Sequence, residues 1–375
     1  MPGKRTEFLY LSEADTIAAG VLDVKRCIEV AEETFALLSE GDYLMGGPNH
    51  NSHGMGIIFP KETKFPNMPV AGPDRRFFAM PAYLGGRYDV CGVKWYGSNH
   101  ANPARGLPRS VLTVQLNDKD TGEPLCLMSA NLLSAARTGA VPGVAARHLA
   151  RRDAETAAAI GCGPINESCF QSIRSQLPGL KKLYCFDVFE DKAKAFADWA
   201  GKELGLEGVV AKSLEECVRS GEVITVAASR LKPLFLESAW LNPGTTVLLS
   251  GPARADDAFW AGNRIVYDHV HLHEAYVEEA VASGDKAGYY AGVIGGPIYT
   301  LIDAGKIQPL AQSTGLGDIV RGKAEKRTDN RANIIFVACG MPVFDVSLAY
   351  ELWDKAKAKG IGTKLLLWDS PHMLK

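Results

Sequence analysis

Two hydrophobic rhythms divide the chain. From residue 156 to about 310, short apolar runs recur with helix-spaced segments between them. The runs at 156–160, 183–186, 208–211, 223–228, 246–251 and 264–268 lack regular polar alternation, as strands buried on both faces do. Between them, 192–204 has helical spacing, and Ser213 with Glu216 has the spacing of a capping box. Strand–helix alternation of this kind predicts a doubly wound parallel sheet, a Rossmann-type α/β fold.

Before residue 150 the rhythm changes. An apolar stretch at 8–11 leads into Ser12, a helix cap, and a second helix is expected over 24–38. Residues 41–79 are rich in Gly, Pro, Asn and His with little periodicity, which predicts a long irregular excursion. Strands follow at 80–84 and 89–96 around Gly85-Gly86, then at 110–116 and 125–130 as a hairpin. An Ala-rich helix is expected over 131–150. Near the other end, the run 332–337 precedes a helix over 343–359 whose apolar spacing predicts packing against the N-terminal domain. No run of about 18 apolar residues occurs, so no transmembrane helix is expected.

Composition narrows the class. The 375 residues suffice for two domains with their own cores. A hydrophobic content of 46% and a charged content of 22% are ordinary for a soluble enzyme. The formal net charge of −2 gives no electrostatic reason to expect nucleic acid or an anionic membrane as partner. The first residues lack the apolar core of a signal peptide. The eight cysteines form no CxxC pair, which fits a reducing compartment, so a cytoplasmic location is expected.

The chemistry concentrates first in residues 156–188. The turn Gly161-Cys162-Gly163-Pro164-Ile165-Asn166 joins a strand to a helix, the order of a βαβ dinucleotide site. Gly161 makes the turn, Gly163 allows close approach of a pyrophosphate, and Pro164, Ile165 and Asn166 open the helix that receives it. Asn166 stands where the fingerprint has Gly or Ala. Asp187 ends the next strand, where a carboxylate accepts from a ribose 2′-hydroxyl and disfavours a 2′-phosphate. NAD is therefore the expected cofactor, with Ala227 and Ser250, at later strand ends, completing its lining. Lys94, between Val93 and Trp95, either snorkels to water or sits partly desolvated, where it handles protons near neutral pH. Arg137 is either a surface arginine or a planar fork for an α-carboxylate. His50 and His53 have no third ligand nearby. His269, His271 and His273 alternate, so they are expected on one side of an extended segment, solvated or lining a cleft. No metal is expected.

Several stretches together resemble the ornithine cyclodeaminase/mu-crystallin family. They are Met80-Pro81-Ala82-Tyr83, Gly92-Val93-Lys94-Trp95, Asn102-Pro103 with Gly106-Leu107-Pro108, and Thr121-Gly122-Glu123-Pro124. The likeness continues in residues 132–140 around Arg137-Thr138, in Leu316-Gly317-Asp318-Ile319-Val320, and in Gly340-Met341-Pro342-Val343-Phe344-Asp345. It implies a Rossmann domain, residues 151–324, inserted in a second α/β domain for substrate binding and dimerisation, residues 1–150 and 325–375. It implies a homodimer that pairs sheets of that second domain, and nicotinamide chemistry on amino acids or cyclic imines. By resemblance, Lys94 is catalytic and serves the substrate, Arg137 binds its carboxylate, and Thr138 lies near the cofactor phosphates. Arg76 is a looser counterpart of a further carboxylate-binding arginine, with His50, His53 and Lys61 as alternatives for that role.

One departure bears on the reaction. The cyclodeaminases carry an aspartate just after the glycine that here is Gly251; this chain has Pro252, with Asp256 and Asp257 several residues late. Proline cannot move a proton, which weakens ornithine or lysine cyclisation with release of ammonia. Mu-crystallin-like ketimine reductases also lack that acid. The expectation is an NAD(H)-dependent oxidoreductase acting on the C–N bond of an amino acid or imine. The alternatives are a true cyclodeaminase and a non-enzymatic binder of nucleotide and small ligand.

Overall fold

Apolar runs without alternation become parallel strands because both faces of their sheet are covered. The computed structural model describes residues 3–228 and 234–373. They fall into two compact units, one built from 3–23, 41–137 and 341–373, the other from 24–40 and the described part of 138–340.

The second unit holds an eight-stranded, all-parallel sheet. Its spatial order is Glu207–Val210, Lys182–Phe186, Thr156–Ile160, Val223–Val226, Thr246–Leu249, Ile334–Val337, Arg264–Tyr267 and Thr314–Gly315. The chain starts in the middle, winds outward, then returns to build the other half, the Rossmann-type doubly wound arrangement. Val223–Val226, Thr246–Leu249 and Ile334–Val337 are buried along their whole length. Phe259, Trp260, Ile298 and Leu236 pack with them into one core.

The boundary expected near residue 325 lies later, at 340/341. Ile334–Val337 pairs on one side with Thr246–Leu249 and on the other with Arg264–Tyr267, so it is an interior strand of the parallel sheet. The helix Val24–Glu40 also belongs to this unit, packing on Pro164–Gln176 and Leu316–Val320. Sequence proximity assigned both segments to the other domain; burial decides otherwise.

The first unit carries a mixed sheet in the order Thr363–Trp368, Thr6–Leu11, Pro124–Ser129, Ser110–Asp118, Val90–Ser98, Arg76–Leu84 and Tyr43–Met45, with Met55–Ile58 also on Arg76–Leu84. All its pairs are antiparallel except Thr6–Leu11 with Pro124–Ser129. The excursion expected over 41–79 is thus partly strand, with 46–54 and 59–75 left outside helix and strand. The helix Pro342–Lys359 packs on Arg76–Leu84, Val90–Ser98 and Ser110–Asp118. On the opposite face Phe77, Trp95 and Val111 are exposed.

Register positions the site. Met80 pairs with Lys94, Phe78 with Tyr96 and Arg76 with Ser98. Side chains alternate along a strand, so these six share one face of the sheet. Among the described residues no helix is long and apolar enough to cross a membrane.

Candidate active site

Lys94 does not snorkel: it is 2% exposed. Its Nζ donates to Asp345 Oδ2 at 2.8 Å, and Arg137 Nε donates to Asp345 Oδ1 at 3.0 Å. Asp345 is itself fully buried, in the first turn of Pro342–Lys359, where the helix dipole favours an anion. Burial, then the neighbouring Arg137 charge, lowers the Lys94 pKa; Asp345 raises it in part, leaving it at about 8. The lysine therefore changes charge close to working pH and is geometrically fixed. Arg137 lies within the helix Asn131–Leu149, and its guanidinium also reaches Ser134 Oγ at 3.4 Å.

The face continues past Lys94 as a second row. The rings of Tyr96 and Phe78 stack at 5.7 Å between centroids. Lys94 Nζ lies 5.6 Å from the Tyr96 centroid, and the Arg76 guanidinium carbon 5.2 Å from that of Phe78. Arg76 Nη2 is 3.1 Å from Asp74 Oδ1, and Arg109 Nη1 is 3.0 Å from Asp74 Oδ2. Burial raises the pKa of the Tyr96 phenol; Arg76 and Arg137 oppose that rise, while Asp74 and Asp345 add to it.

In the second unit the glycine turn has the shape its sequence implies. Gly161 has φ +88°, and a Cβ there would lie 2.8 Å from Ala228 Cα, so only glycine fits. Around Gly163 nothing would lie within 4 Å of a Cβ, which leaves open space at the N-cap of Pro164–Gln176. Asn166, fully buried, replaces the small residue of the fingerprint by donating from Nδ2 to the carbonyls of Ile160 (3.2 Å) and Gly161 (2.6 Å). Its Oδ1 has no hydrogen-bond partner. Asp187 accepts from the Cys162 N–H at 2.9 Å and the Phe189 N–H at 3.0 Å, tying the second strand's end to the turn. Ala227 and Ser250 follow neighbouring strands of the same sheet, with Ala227 N–H on Ile160 O and Ser250 N–H on Val226 O. Thr138 is half-buried in the helix Asn131–Leu149. A positive-φ turn, open space and unspent helix N–H groups fit a dinucleotide.

The three histidines do not share an extended face. His269 is the N-cap of the helix Val270–Ala282, which carries the other two. Burial lowers the His269 pKa to about 3. His271 is exposed and contacts Glu274 at 2.7 Å. His273 is buried, its Nε2 2.9 Å from Asp268 Oδ1 and its Nδ1 2.6 Å from the Tyr299 hydroxyl. The alternation misled because the strand ends at Tyr267, before the first histidine. Among the described residues no group of three or more His, Cys, Asp or Glu side chains could hold a metal ion. Asp256 caps Asp257–Ala261 through the Phe259 N–H and also accepts from the Ser238 N–H, and Asp257 pairs with Lys306 at 2.6 Å.

Sequence reading missed Asp345, Tyr96, Asp74 and Ser98. A signal existed for Asp345, an acid among the apolar residues that open its helix and the last residue of a quoted motif. Nothing local marked the others.

A Rossmann-type parallel sheet with a glycine turn, and a separate mixed sheet bearing a buried lysine–aspartate–arginine cluster, define a two-unit α/β protein. Residues 21–360 match the model of the ornithine cyclodeaminase/mu-crystallin family, and the chain belongs to that family. It is 29% identical to the N-((2S)-2-amino-2-carboxyethyl)-L-glutamate dehydrogenase of Staphylococcus aureus, across 96% of this chain and 99% of that one. Its fold is that of the Thermococcus litoralis Δ1-pyrroline-2-carboxylate reductase solved with NADH and L-proline, with a TM-score of 0.77, 24% identity and coverage of 95% and 99%. A dimeric archaeal alanine dehydrogenase with bound NAD also superposes with a TM-score of 0.77, at 23% identity and coverage of 97% and 100%.

Proposed function

We propose that this chain is an NAD(H)-dependent oxidoreductase acting at the carbon–nitrogen bond of an amino acid or its imine. The carrying observation is the buried Lys94–Asp345–Arg137 cluster, a proton-exchanging amine held beside a carboxylate-binding fork. Arg137 and Lys94 take the α-carboxylate, which orients the α-carbon. Lys94 Nζ gives a proton to the imine nitrogen on reduction and takes one back on oxidation. Asp345 keeps both cations in place. When bound, the cofactor would supply the hydride as NADH, or accept it as NAD+, at the carbon bearing nitrogen. The N–H groups at Gly163, Ile165 and Asn166 would hold its pyrophosphate behind Gly161 and Pro164, and Asp187 its ribose hydroxyls. Thr138, Ala227 and Ser250 would line it.

Cyclisation with loss of ammonia is disfavoured. Pro252 has no proton to move, and the hydrogen bonds of Asp256 and the ion pair of Asp257 commit both to local structure. The exposed Phe77, Trp95 and Val111 suit a second copy of the chain, which size-exclusion chromatography with light scattering tests. For the reaction, NADH absorbance is followed with pyrroline-2-carboxylate, and NAD reduction with an amino-acid panel. Turnover is expected with an imine or amino acid and none with ornithine to proline. Tight nucleotide binding without turnover of any substrate would favour a binder instead.

A further inference from the structure

The face that carries Lys94 changes character along its strands. Met80, Lys94 and Val114 pair across three neighbouring strands, and all three are buried. The helix Pro342–Lys359 packs on those strands, and its first turn brings Asp345 to Lys94. The next row on the same face is Phe78, Tyr96 and Leu112, and each of these is only half-buried. The Phe78 and Tyr96 rings lie within 12° of parallel. Beyond Phe78 its cross-strand partner is Gly56, where a Cβ would lie 2.7 Å from the ring, so the ring tip rests over bare glycine. An apolar shelf thus adjoins the buried lysine, about 7 Å further along the strand, the reach of a four- or five-atom side chain.

Charge selects what the shelf takes. The cations of Lys94 and Arg76 lie 5.6 Å and 5.2 Å from the centroids of Tyr96 and Phe78, so an ammonium over this row meets like charges. Each cation is already paired with an acid, Asp345 at 2.8 Å and Asp74 at 3.1 Å, so a second ligand carboxylate meets those anions. An alkyl or aryl group takes half-buried apolar surface out of water with no charge to desolvate. We propose that Phe78, Tyr96 and Leu112 form the side-chain shelf of the Lys94 site, so that the substrate is an amino or imino acid with an uncharged, apolar side chain. Tyr96, next to Lys94 on its strand, is the specificity-determining residue. This rests on the reading that Lys94 and Arg137 hold the α-carboxylate.

Three carboxylates of similar length separate the outcomes: hexanoate, 5-aminovalerate and glutarate, titrated calorimetrically into the full chain saturated with NADH. Hexanoate is expected to bind about tenfold or more tighter than either of the others. Tyr96→Ala should cut that advantage by about tenfold, the worth of one ring's contact area, and Tyr96→Phe, which keeps the ring, should restore it. Leu112→Ala, a smaller change at the end of the row, should cut it by about threefold and reads the shelf if Tyr96→Ala does not fold. Equal or tighter binding of 5-aminovalerate or glutarate, no binding of any probe, or an unchanged ratio in folded Tyr96→Ala or Leu112→Ala would overturn the shelf. Hexanoate selectivity without turnover of any amino acid or imine would leave the shelf standing and sink the oxidoreductase reading. Turnover that favours acidic or basic side chains would do the reverse.

Discussion

Two buried carboxylates, one in each unit, are spent in opposite ways. Asp268 accepts from the N–H groups of His269 (2.8 Å), Cys339 (2.7 Å) and Gly340 (3.2 Å) and from His273 Nε2 (2.9 Å). Its acceptor capacity is filled, largely by backbone, and it fastens the chain after Arg264–Tyr267 to the chain after Ile334–Val337. Asp345 instead holds two cations, Lys94 and Arg137, whose remaining donors can turn to a ligand. A saturated carboxylate is structure. A carboxylate that fixes partly spent cations is a poised site, and buried charge by itself does not distinguish the two.

Removing the lysine tests the poised cluster most directly. Lys94→Ala is expected to lower kcat by roughly 10²–10⁴-fold, the range of a lost proton-transfer group, with NADH affinity by fluorescence titration nearly unchanged. Loss of nucleotide binding in a folded variant would place the lysine elsewhere.

The saturated carboxylate should answer in stability instead. Asp268→Ala strands four donors and is expected to cost about 3 kcal/mol or more in urea unfolding. A pH profile of kcat that moved with this variant would contradict the contrast.

Asp187 follows. The wild type should prefer NADH to NADPH by about tenfold or more in Kd, and Asp187→Ser should narrow that ratio. Tighter binding of NADPH by the wild type refutes the assignment.

The pH dependence sharpens the role of Asp345. The Lys94 pKa is lowered to about 8, so imine reduction, which needs the protonated amine, is full below that pH and falls as pH rises through it. Oxidation, which needs the neutral amine, rises over the same window. Asp345→Asn removes an anion and should move both limbs down by about one unit; Arg137→Gln removes a cation and should move them up. Shifts in the same direction would break the scheme.

The smallest effect belongs to Asp256. Asp256→Ala is expected to lose a helix cap worth about 1 kcal/mol with substrate choice unaltered, measured by urea unfolding and a substrate panel. A change in ornithine turnover would return that acid to the chemistry.

Local pattern was enough for the parallel sheet and the nucleotide turn. The strands inside that sheet are short apolar runs because both faces are buried, while the edge pair Thr314–Gly315 carries no such signal, and Gly161, Gly163 and Asp187 fall within one βαβ unit. The same locality made Lys94 and Arg137 visible as candidates, with the family resemblance supplying their partner motif. What they contact was not legible. Asp345 meets Lys94 across 251 residues of sequence and Arg137 across 208, through a helix that returns to a sheet formed much earlier. The histidines at 269–273 show the converse failure: alternation reads as strand until the tertiary structure ends that strand at Tyr267 and buries His273 against Asp268 and Tyr299. Sequence by itself determined the elements whose signal is periodic or backbone-borne. Tertiary structure decided which charges are buried, how they are paired, and where the sheet takes back Ile334–Val337, because burial and pairing depend on neighbours that arrive from distant parts of the chain.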